Sequence, residues 1–312
     1  MQSWYYHLGF SLEGRRLRQI SDSGYQMVVI EPIYTEAENT DYPIEATLAR
    51  LHQKPRIVLA YIDIGQAEEW RTYWQPNWRI GAPAWIVAND PDGWEGNYPV
   101  AYWHPEWKQI WLGQNGLIAD LARRGFDGVY LDWVEAYSDE SVISAARRDG
   151  KNPRREMIRF VAQIGQAGRA VSPGFIVVAQ NAAELVADRG YARSIDGLAQ
   201  EQVWFDGAAS NRPAGDCPLP ATEADIETSA YENSLSRACR RMYNDFPDST
   251  LHVSSEGYIE DLTLARQRGL KVFTVDYTVK RQNIITAITN ARQLGFVPFT
   301  SERALDVFHP PY

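Results

Sequence analysis

The segment ARRGFDGVYLDWVEAY, residues 122–137, places a helix end, a buried strand and an acid in immediate succession. Gly125 follows two arginines, and a glycine just past the last helical turn readily adopts the left-handed conformation that ends a helix. The apolar residues 129–131 indicate a buried strand that ends at Asp132. A carboxylate beside an apolar residue and Trp133 costs free energy unless it is paired or used, so Asp132 is a candidate functional residue.

The same order of helix end, glycine and apolar run recurs in three further segments. They are ISDSGYQMVVIE at Gly24, ARQRGLKVFTVD at Gly269 and ARQLGFVPF at Gly295. A helix that returns through a tight turn into a buried strand is half of a βαβ unit. Its repetition therefore predicts helices that alternate with parallel strands.

The apolar runs of the chain predict eight strands. They are 4–8, 27–31, 57–64, 129–132, 175–180, 198–201, 251–254 and 272–276. Eight strands with intervening helices in 312 residues predict an α/β protein with a (β/α)8 TIM-type barrel. The alternative is an open doubly wound sheet, which favours a glycine-rich first turn, and HLGFSLEG (7–14) does not match GxGxxG.

Long excursions follow some of the predicted strands. They lie at about residues 65–105, after the fourth predicted strand, and at about residues 204–224. No Ser/Gly linker or low-complexity run divides the chain. We therefore predict one domain, residues 1–312, with long loops on the C-terminal face, where barrels build their active sites.

Charge and hydropathy limit the classes of partner. Of the 312 residues, 45% are hydrophobic, and the formal net charge is −9. An acidic surface repels nucleic acid and anionic membranes but tolerates a neutral or cationic ligand. No apolar stretch approaches the roughly 20 residues of a membrane-spanning helix. We therefore expect no nucleic acid partner and no membrane span.

The N-terminus and the cysteines leave the cellular compartment open. The first residues, MQSWYYHLGF, lack the basic and apolar regions of a signal peptide, so the protein is either cytosolic or has lost a signal peptide. Cys217 and Cys239 lie in one stretch and match no metal motif. A disulfide and two free thiols both remain compatible with their spacing.

Polar side chains gather where the predicted strands end. Acids, amides and hydroxyls stand at nearly every exit: Glu31, Asp63, Gln66, Glu68, Asp132, Gln180, Asn181, Glu201, Ser254, Glu256, Asp276 and Tyr277. For any one of them, simple solvation at an exposed strand end is the alternative. Asp132 and Glu201 are distinctive because each follows an apolar run and precedes a tryptophan, Trp133 or Trp204. Since a barrel collects its strand exits at one mouth, the pattern predicts a ring of carboxylates there.

Three chemistries use such a ring of acids. An enolase-type metal site needs a Lys or His base, and no lysine stands at a predicted exit. A metal-dependent amidohydrolase needs several histidines, and His7 is the only one near an exit. Glycoside hydrolysis needs two carboxyls and a sugar-binding surface. Eight tryptophans between Trp70 and Trp111, with Trp204, are candidate platforms for sugar rings, although core packing is the alternative for each. No cofactor or metal motif is found, so none is expected.

Six segments in the same order resemble one family of enzymes. They are AYIDIGQAEEWRTYW, GFDGVYLDWVEAY, VVAQNAAEL, GLAQEQVWFDG, KVFTVDY and ARQLGFVPF. Together they resemble the endo-α-1,4-polygalactosaminidase-like glycosidases, glycoside hydrolase family 114 and its relatives, from about Trp4 to Phe299. The resemblance implies a barrel related to the TIM fold, extracellular or periplasmic placement, and cleavage of galactosamine-containing polysaccharide.

The resemblance also implies roles for individual residues. Asp132, in VYLDW, and Glu201, in AQEQVWF, match the acidic pair; Asp132 is then the nucleophile or stabilising carboxylate and Glu201 the acid/base, with the roles exchangeable. The expected substrate-binding residues are Glu31, Asp63, Gln66, Glu68, Trp133, Gln180, Asn181, Trp204, Asp276 and Tyr277. Relatives often have GEAE where this chain has GQAE (65–68), which implies a preference for an N-acetylated or neutral sugar.

Two alternatives to an acid-pair glycosidase remain at this point. One is a carbohydrate-binding barrel without catalysis, in which the acids only accept hydrogen bonds. The other is a metal-dependent lyase or hydrolase that uses Glu31, Asp63 and Asp132. Fold alone does not choose among these chemistries.

Overall fold

Eight parallel strands form a nearly closed barrel in the computed structural model, which describes residues 1–9, 12–91, 93–247 and 249–312. The strands are β1 (Trp4–His7), β2 (Met27–Ile30), β3 (Ile57–Asp63), β4 (Gly128–Asp132), β5 (Ile176–Gln180), β6 (Gly197–Glu201), β7 (Lys271–Tyr277) and β8 (Val297–Ser301). Each pairs in parallel with the next, in chain order. The predicted (β/α)8 barrel is confirmed.

Helices alternate with these strands and cover the barrel. The α-helices are α1 (Gly14–Asp22), α2 (Ile44–Leu51), α3 (Pro105–Leu112), α4 (Leu117–Arg124), α5 (Glu140–Arg148), α6 (Pro153–Val171), α7 (Arg189–Ala192), α8 (Ser229–Ser234), α9 (Arg237–Asp245), α10 (Ser255–Gln267) and α11 (Arg281–Gln293). Short 3-10 helices span Ile33–Thr35, Val134–Ser138, Ala183–Ala187, Glu223–Asp225 and Thr250–His252. Across the described residues, no helix is both long and apolar enough to cross a membrane.

Large aromatic side chains fill the barrel and join its two edges. Trp4 and Tyr6, from β1, lie with ring centres 6.0 and 4.9 Å from that of Tyr130 on β4. The indole nitrogen of Trp4 donates a hydrogen bond to the carbonyl oxygen of Val297, at 3.0 Å. Because Val297 opens β8, this bond ties the first strand to the last and helps to close the barrel.

The predicted helix end at Gly125 is correct and sets where β4 begins. Gly125 has φ 102°, a conformation that glycine adopts without the steric cost of a Cβ. The next backbone N–H, of Phe126, bonds the carbonyl of Leu121 at 3.2 Å, as in a helix-terminating turn. The chain then enters β4, three residues beyond the turn, and leaves it at Asp132.

One predicted strand, 251–254, is wrong, and β8 is missing from the eight predicted strands, although the helix end, glycine and apolar run at Gly295 precede it. Residues Thr250–His252 form a 3-10 helix, and Ser254 is the N-cap of α10, its hydroxyl accepting from the Gly257 N–H at 3.0 Å. A run this short does not distinguish a strand from a buried turn by periodicity. Leu251 is buried because it packs in a separate cluster outside the barrel.

The long excursion after β6 has its own small core. Its buried residues, here called the satellite cluster, are Cys217, Leu219, Tyr231, Leu235, Cys239, Met242 and Leu251. Cys217 and Cys239 form a disulfide, which settles the choice that their spacing left open. The excursion after β3 instead folds as an antiparallel pair, Gln66–Glu68 with Asn97–Pro99.

Candidate active site

Two carboxyl groups and one amide form the centre of the candidate site. Asp132, Gln180 and Glu201 are the last residues of the neighbouring strands β4, β5 and β6. Gln180 Nε2 donates to Asp132 Oδ1 at 2.7 Å and to Glu201 Oε2 at 2.8 Å. The two predicted catalytic carboxyls therefore lie on either side of a single amide group.

Asp132 is held by donors from three directions. Besides Gln180, the Tyr61 hydroxyl donates to Oδ2 at 2.6 Å and the Trp133 backbone N–H donates to Oδ1 at 2.8 Å. Burial, and then the negative charge of Glu201, raises the pKa of Asp132 above its ordinary value.

Glu201 is held by an amide, a phenol and a guanidinium. Asn181 Nδ2 donates to Oε2 at 3.2 Å, and the Tyr277 hydroxyl donates a short hydrogen bond to Oε1. Arg303 Nη1 lies 3.4 Å from Oε1. Burial raises the pKa of Tyr277 well above its ordinary value, so its hydroxyl remains a donor over the working pH range.

The residue that follows each of the strands β4, β5 and β6 adopts a left-handed backbone conformation. Trp133, Asn181 and Gln202 have φ values of 54°, 58° and 52°. Positive φ is uncommon for residues other than glycine, and such strain concentrates at functional sites. The chain approaches itself closely here as well, since a Cβ on Gly65 would lie 2.3 Å from the carbonyl oxygen of Trp133.

Two predicted substrate-binding acids are instead held by a buried arginine. Arg71 donates to Glu31 Oε2 at 2.7 Å and to Glu68 Oε2 at 2.8 Å, and all three side chains are almost fully buried. This ion pair links the end of β2 to the excursion after β3. Glu31, one of the three acids on which the metal-dependent alternative rests, is therefore already paired with Arg71.

Two further predicted residues hold the loop after β3 at the mouth of the barrel. Asp63 Oδ1 accepts from the backbone N–H groups of Gly65 and Gln66, at 3.0 and 2.7 Å. The Gln66 side chain donates to Asp90 Oδ2 at 2.6 Å and accepts from Asn97 at 2.9 Å. These bonds shape the turn after β3, and both side chains are almost fully buried.

Asp276 and Trp204 meet each other at the start of the excursion after β6. Asp276 Oδ1 accepts from the backbone N–H of Trp204 at 2.7 Å and from that of Phe205 at 3.0 Å. The carboxyl of Asp276 is fully buried, and Trp204 is also buried. Asp276 thus anchors the excursion, and burial raises its pKa to about 7.

The tryptophans between Trp70 and Trp111 pack mainly on one another. Trp85, Trp103, Trp107 and Trp111 are buried in the core. The Trp74 ring lies 5.5 Å from that of Trp78. Trp94 is the large exposed ring of this group, with 39% of its surface accessible. Core packing, the alternative named for each tryptophan, therefore accounts for at least half of them.

Three residues of the site escaped sequence reasoning. Tyr61 lies inside β3, two residues before Asp63 and so on the same face, whereas only strand ends were considered. Glu135, whose Oε1 accepts from Asn181 at 2.9 Å, lies one turn beyond β4. Arg303 follows β8. Its position at a strand exit can be inferred from the sequence only if residues 297–301 are predicted to form a strand.

Glu135 adds a third carboxyl next to the pair. Burial, and then the charge of Asp132, raises the pKa of Glu135 above its ordinary value. Asn181 Nδ2 donates to both Glu135 and Glu201, so these two acids flank one amide group. The site therefore gathers three acids and five neutral or cationic side-chain donors, and this set suits acid–base chemistry on a neutral or cationic ligand.

Comparison with solved structures supports the barrel assignment. The glycoside hydrolase domain of PelA from Pseudomonas aeruginosa aligns with a TM-score of 0.61 and 18% identity, over 98% of this chain and 96% of that one. Ega3 from Aspergillus fumigatus, in complex with galactosamine, aligns with a TM-score of 0.61 and 15% identity, over 100% and 94% of the two chains. At these identities the similarity shows a shared fold.

Comparison of sequences identifies the family. An uncharacterized protein of Deinococcus radiodurans is 34% identical over 304 residues, which cover 96% of this chain and 81% of that protein. The pattern of the glycoside-hydrolase family GH114 matches residues 1–310. That match spans the whole barrel and includes the six segments on which the resemblance rests. The protein is therefore a glycosidase that belongs to glycoside hydrolase family GH114.

Proposed function

We propose that this glycosidase cleaves galactosamine-containing polysaccharide internally, with Asp132 and Glu201 as its catalytic carboxyls. The observation that carries the proposal is the bridge that Gln180 forms between them. It brings together the ends of two strands that are separated by a third strand. Glycoside hydrolysis requires two carboxyls on opposite sides of the bond that breaks, and no other group.

The separation of the carboxyls favours a retaining reaction. Gln180 Nε2 lies 2.7 and 2.8 Å from the bridged oxygens, and the sum of the two distances limits their separation to about 5.5 Å. Retaining enzymes place the carboxyls about 5–5.5 Å apart, whereas inverting enzymes leave room for a water molecule. We therefore propose that the product keeps the anomeric configuration of the substrate.

The proposed reaction has two displacements. In the first, one carboxylate of the pair attacks the anomeric carbon while the other carboxyl gives its proton to the departing glycosidic oxygen. In the second, the other carboxyl, which is now ionised, takes a proton from water, and the water oxygen attacks the anomeric carbon and displaces the first carboxylate from the sugar. Gln180 donates to both acids, and it therefore stabilises whichever member of the pair is ionised.

The acidity of the site supports an amino sugar as substrate. Asp132, Glu135 and Glu201 lie around two amide groups, and a cationic ammonium group would lower the repulsion among them. Gln66 replaces an acid found in relatives, yet its amide bonds the carboxylate of Asp90, so negative charge remains at that position. The galactosamine in the Ega3 structure agrees with this choice.

The disulfide supports placement outside the reducing cytosol. Cys217 and Cys239 are both almost fully buried, and structural disulfides persist in oxidising compartments. We therefore propose that the protein works in an extracellular or periplasmic setting, where a polysaccharide substrate is found.

The experiment is a panel of polymers containing galactosamine, N-acetylgalactosamine or both, together with neutral polymers. We expect the wild type to release oligosaccharides of several lengths from an amino-sugar polymer, and NMR to show the retained anomer first. Asp132→Asn and Glu201→Gln should each lower kcat by about 10³-fold or more with the fold intact. Glu69→Gln, a change at an exposed acid of the neighbouring excursion, is the control. Near wild-type turnover in either variant would remove that residue from the mechanism.

Chemical rescue assigns the two roles. With Asp132→Ala or Glu201→Ala, added azide replaces the missing carboxylate. The nucleophile variant should yield a glycosyl azide of inverted configuration, because azide attacks the anomeric carbon directly. The acid/base variant should yield the retained configuration, because azide then attacks the covalent intermediate.

A further inference from the structure

Arg303 reaches the candidate pair from the end of the last strand. It lies two residues beyond β8, and its side chain is 17% exposed. Its Nη1 donates to the Tyr277 hydroxyl at 2.8 Å and lies 3.4 Å from Glu201 Oε1. The same Tyr277 hydroxyl bonds Glu201, so the three groups form a closed triangle of hydrogen bonds.

Two aromatic rings and one backbone hydrogen bond hold Arg303 in place. Its central carbon lies 4.5 Å from the ring centre of Tyr277 and 5.7 Å from that of Trp94, distances at which a cation and an aromatic face attract. The backbone N–H of Arg303 donates to the carbonyl of Ala214 at 2.8 Å. Contacts from β7 and from the excursions after β3 and β6 therefore orient the side chain.

Arg303 is also a permanent positive charge in an acidic site. In the described part of the chain, no other Lys or Arg forms a hydrogen bond to Asp132 or Glu201. Burial alone would lower the pKa of Arg303, but the surrounding acidic groups raise it, so the guanidinium stays protonated. The titratable groups that face it are Tyr277 on β7, Glu201 on β6, Asp206 on the excursion after β6, and Tyr6 on β1.

We propose that Arg303 is a positioning residue for the glycosidase reaction: it holds Glu201 and Tyr277 in place and lets the acid pair carry one negative charge. The inference rests on the proposed catalytic role of Glu201. In this proposal Arg303 does not contact the reacting atoms. A planar guanidinium suits this task because it can bond the phenol and approach the carboxylate while its faces stack on aromatic rings.

The test compares neutral and cationic replacements in the full chain. Arg303→Met and Arg303→Gln remove the charge, and Arg303→Lys keeps it. We expect the neutral variants to lower kcat by about 100-fold with little change in KM. Loss of the cation disfavours the ionised form of Asp132, so its pKa rises and the pH optimum moves up by about one unit. Arg303→Lys should keep an optimum close to that of the wild type.

A matched control variant and a titration measured without substrate complete the experiment. Arg124 also stacks on a tyrosine ring, at 4.1 Å from Tyr34, and pairs with Asp120 at 2.9 Å, but neither partner bonds the acid pair. Arg124→Met should leave the pH optimum unchanged. Carboxyl ¹³C titration of labelled Asp132 should show the same upward shift in Arg303→Met without any substrate.

Each remaining outcome has a definite meaning. An unchanged optimum and carboxyl titration in the neutral variants would overturn the proposal, whatever the loss of rate. A rise in KM alone would make Arg303 a substrate-binding residue instead, and failure of both neutral variants to fold would make it a structural one. If the wild type cleaves no polymer, the proposed function fails, and the ¹³C titration still decides whether Arg303 controls the charge of the acid pair at Asp132.

Discussion

At the scale of single residues, the acids at the strand exits differ by the donors that reach them. Asp132 and Glu201 share an amide, whereas Glu31 is held by Arg71. Asp276 accepts only from backbone N–H groups, and its second carboxyl oxygen is buried without a partner among the described residues. The same residue type therefore serves the reacting centre, an ion pair or a loop anchor, according to its neighbours.

Asp276 leads to a prediction about stability and pH. Its pKa is raised to about 7 in the folded protein and is about 3.9 in an unfolded chain. Between these values the folded state holds a proton that the unfolded state has lost, so stability falls as pH rises through this window. Asp276→Asn keeps the acceptor oxygen and removes the titration. We expect the variant to be more stable than the wild type at pH 8 by on the order of 2 kcal/mol.

Chemical denaturation at a series of pH values between 4 and 8 measures this effect. The difference between wild type and Asp276→Asn should grow steadily with pH, because the other raised acids contribute equally to both proteins. Asp188→Asn, a change at a half-buried helix N-cap, should show no such trend. A constant difference across the range would contradict the buried titration of Asp276.

At the scale of elements, the excursions after the strands build the site and need their own supports. The excursion after β6 begins at Trp204 and Phe205, which are anchored on Asp276, and it continues into the satellite cluster. Its helices α8 and α9 are short and polar, so their order depends on tertiary packing more than on helix propensity. The disulfide crosses this cluster.

Removal of the disulfide should loosen this excursion before the barrel. Cys217→Ala with Cys239→Ala frees a loop with a sequence separation of 22 residues, and we expect a loss of about 3 kcal/mol in the free energy of unfolding. Hydrogen exchange should become faster in residues 217–251 and stay slow in β4 and β5. Mild reduction of the wild type should reproduce the change, and equal protection in both proteins would show that the cluster is stable without its bond.

At the scale of the whole molecule, closure of the barrel decides which residues meet. β1 and β8 are joined by the hydrogen bond from Trp4 to Val297 and by one from the Leu8 N–H to the carbonyl of Leu305, at 3.2 Å. The order of neighbouring strands β6, β7 and β8 brings Arg303, which follows the last strand, to Glu201 on the sixth. We propose that residues 1–312 behave as one domain, since a barrel cannot close with part of its strands missing.

The bond at the closing edge can be tested directly. Trp4→Phe keeps an aromatic ring in the core but leaves the Val297 carbonyl without its donor, and we expect a loss of about 1–3 kcal/mol. Unfolding followed by fluorescence and by circular dichroism should remain one coincident transition. Trp78→Phe is the control, because its indole nitrogen bonds no described residue. Two separate transitions in the variant would show that the barrel edges unfold independently.

The fold could be predicted further than the site. Apolar runs, helix-ending glycines and strand-end acids are local patterns, and they located seven of the eight strands together with Asp132, Gln180 and Glu201. The missing strand contains Pro298 and follows an ordinary helix end, and the run 251–254 was chosen in its place. That error also concealed Arg303, since its value as a site residue depends on the strand before it.

The amino-acid sequence by itself determined where the chain turns and which acids stand at the strand ends. Both depend on residues within a few positions of one another: Gly125 ends a helix, and Asp132 ends the strand that follows. Tertiary structure alone decided what each acid does. The partners come from far along the chain, as Arg71 comes to Glu31 and Arg303 to Glu201, and only the pairing of strands in the folded barrel sets those distances.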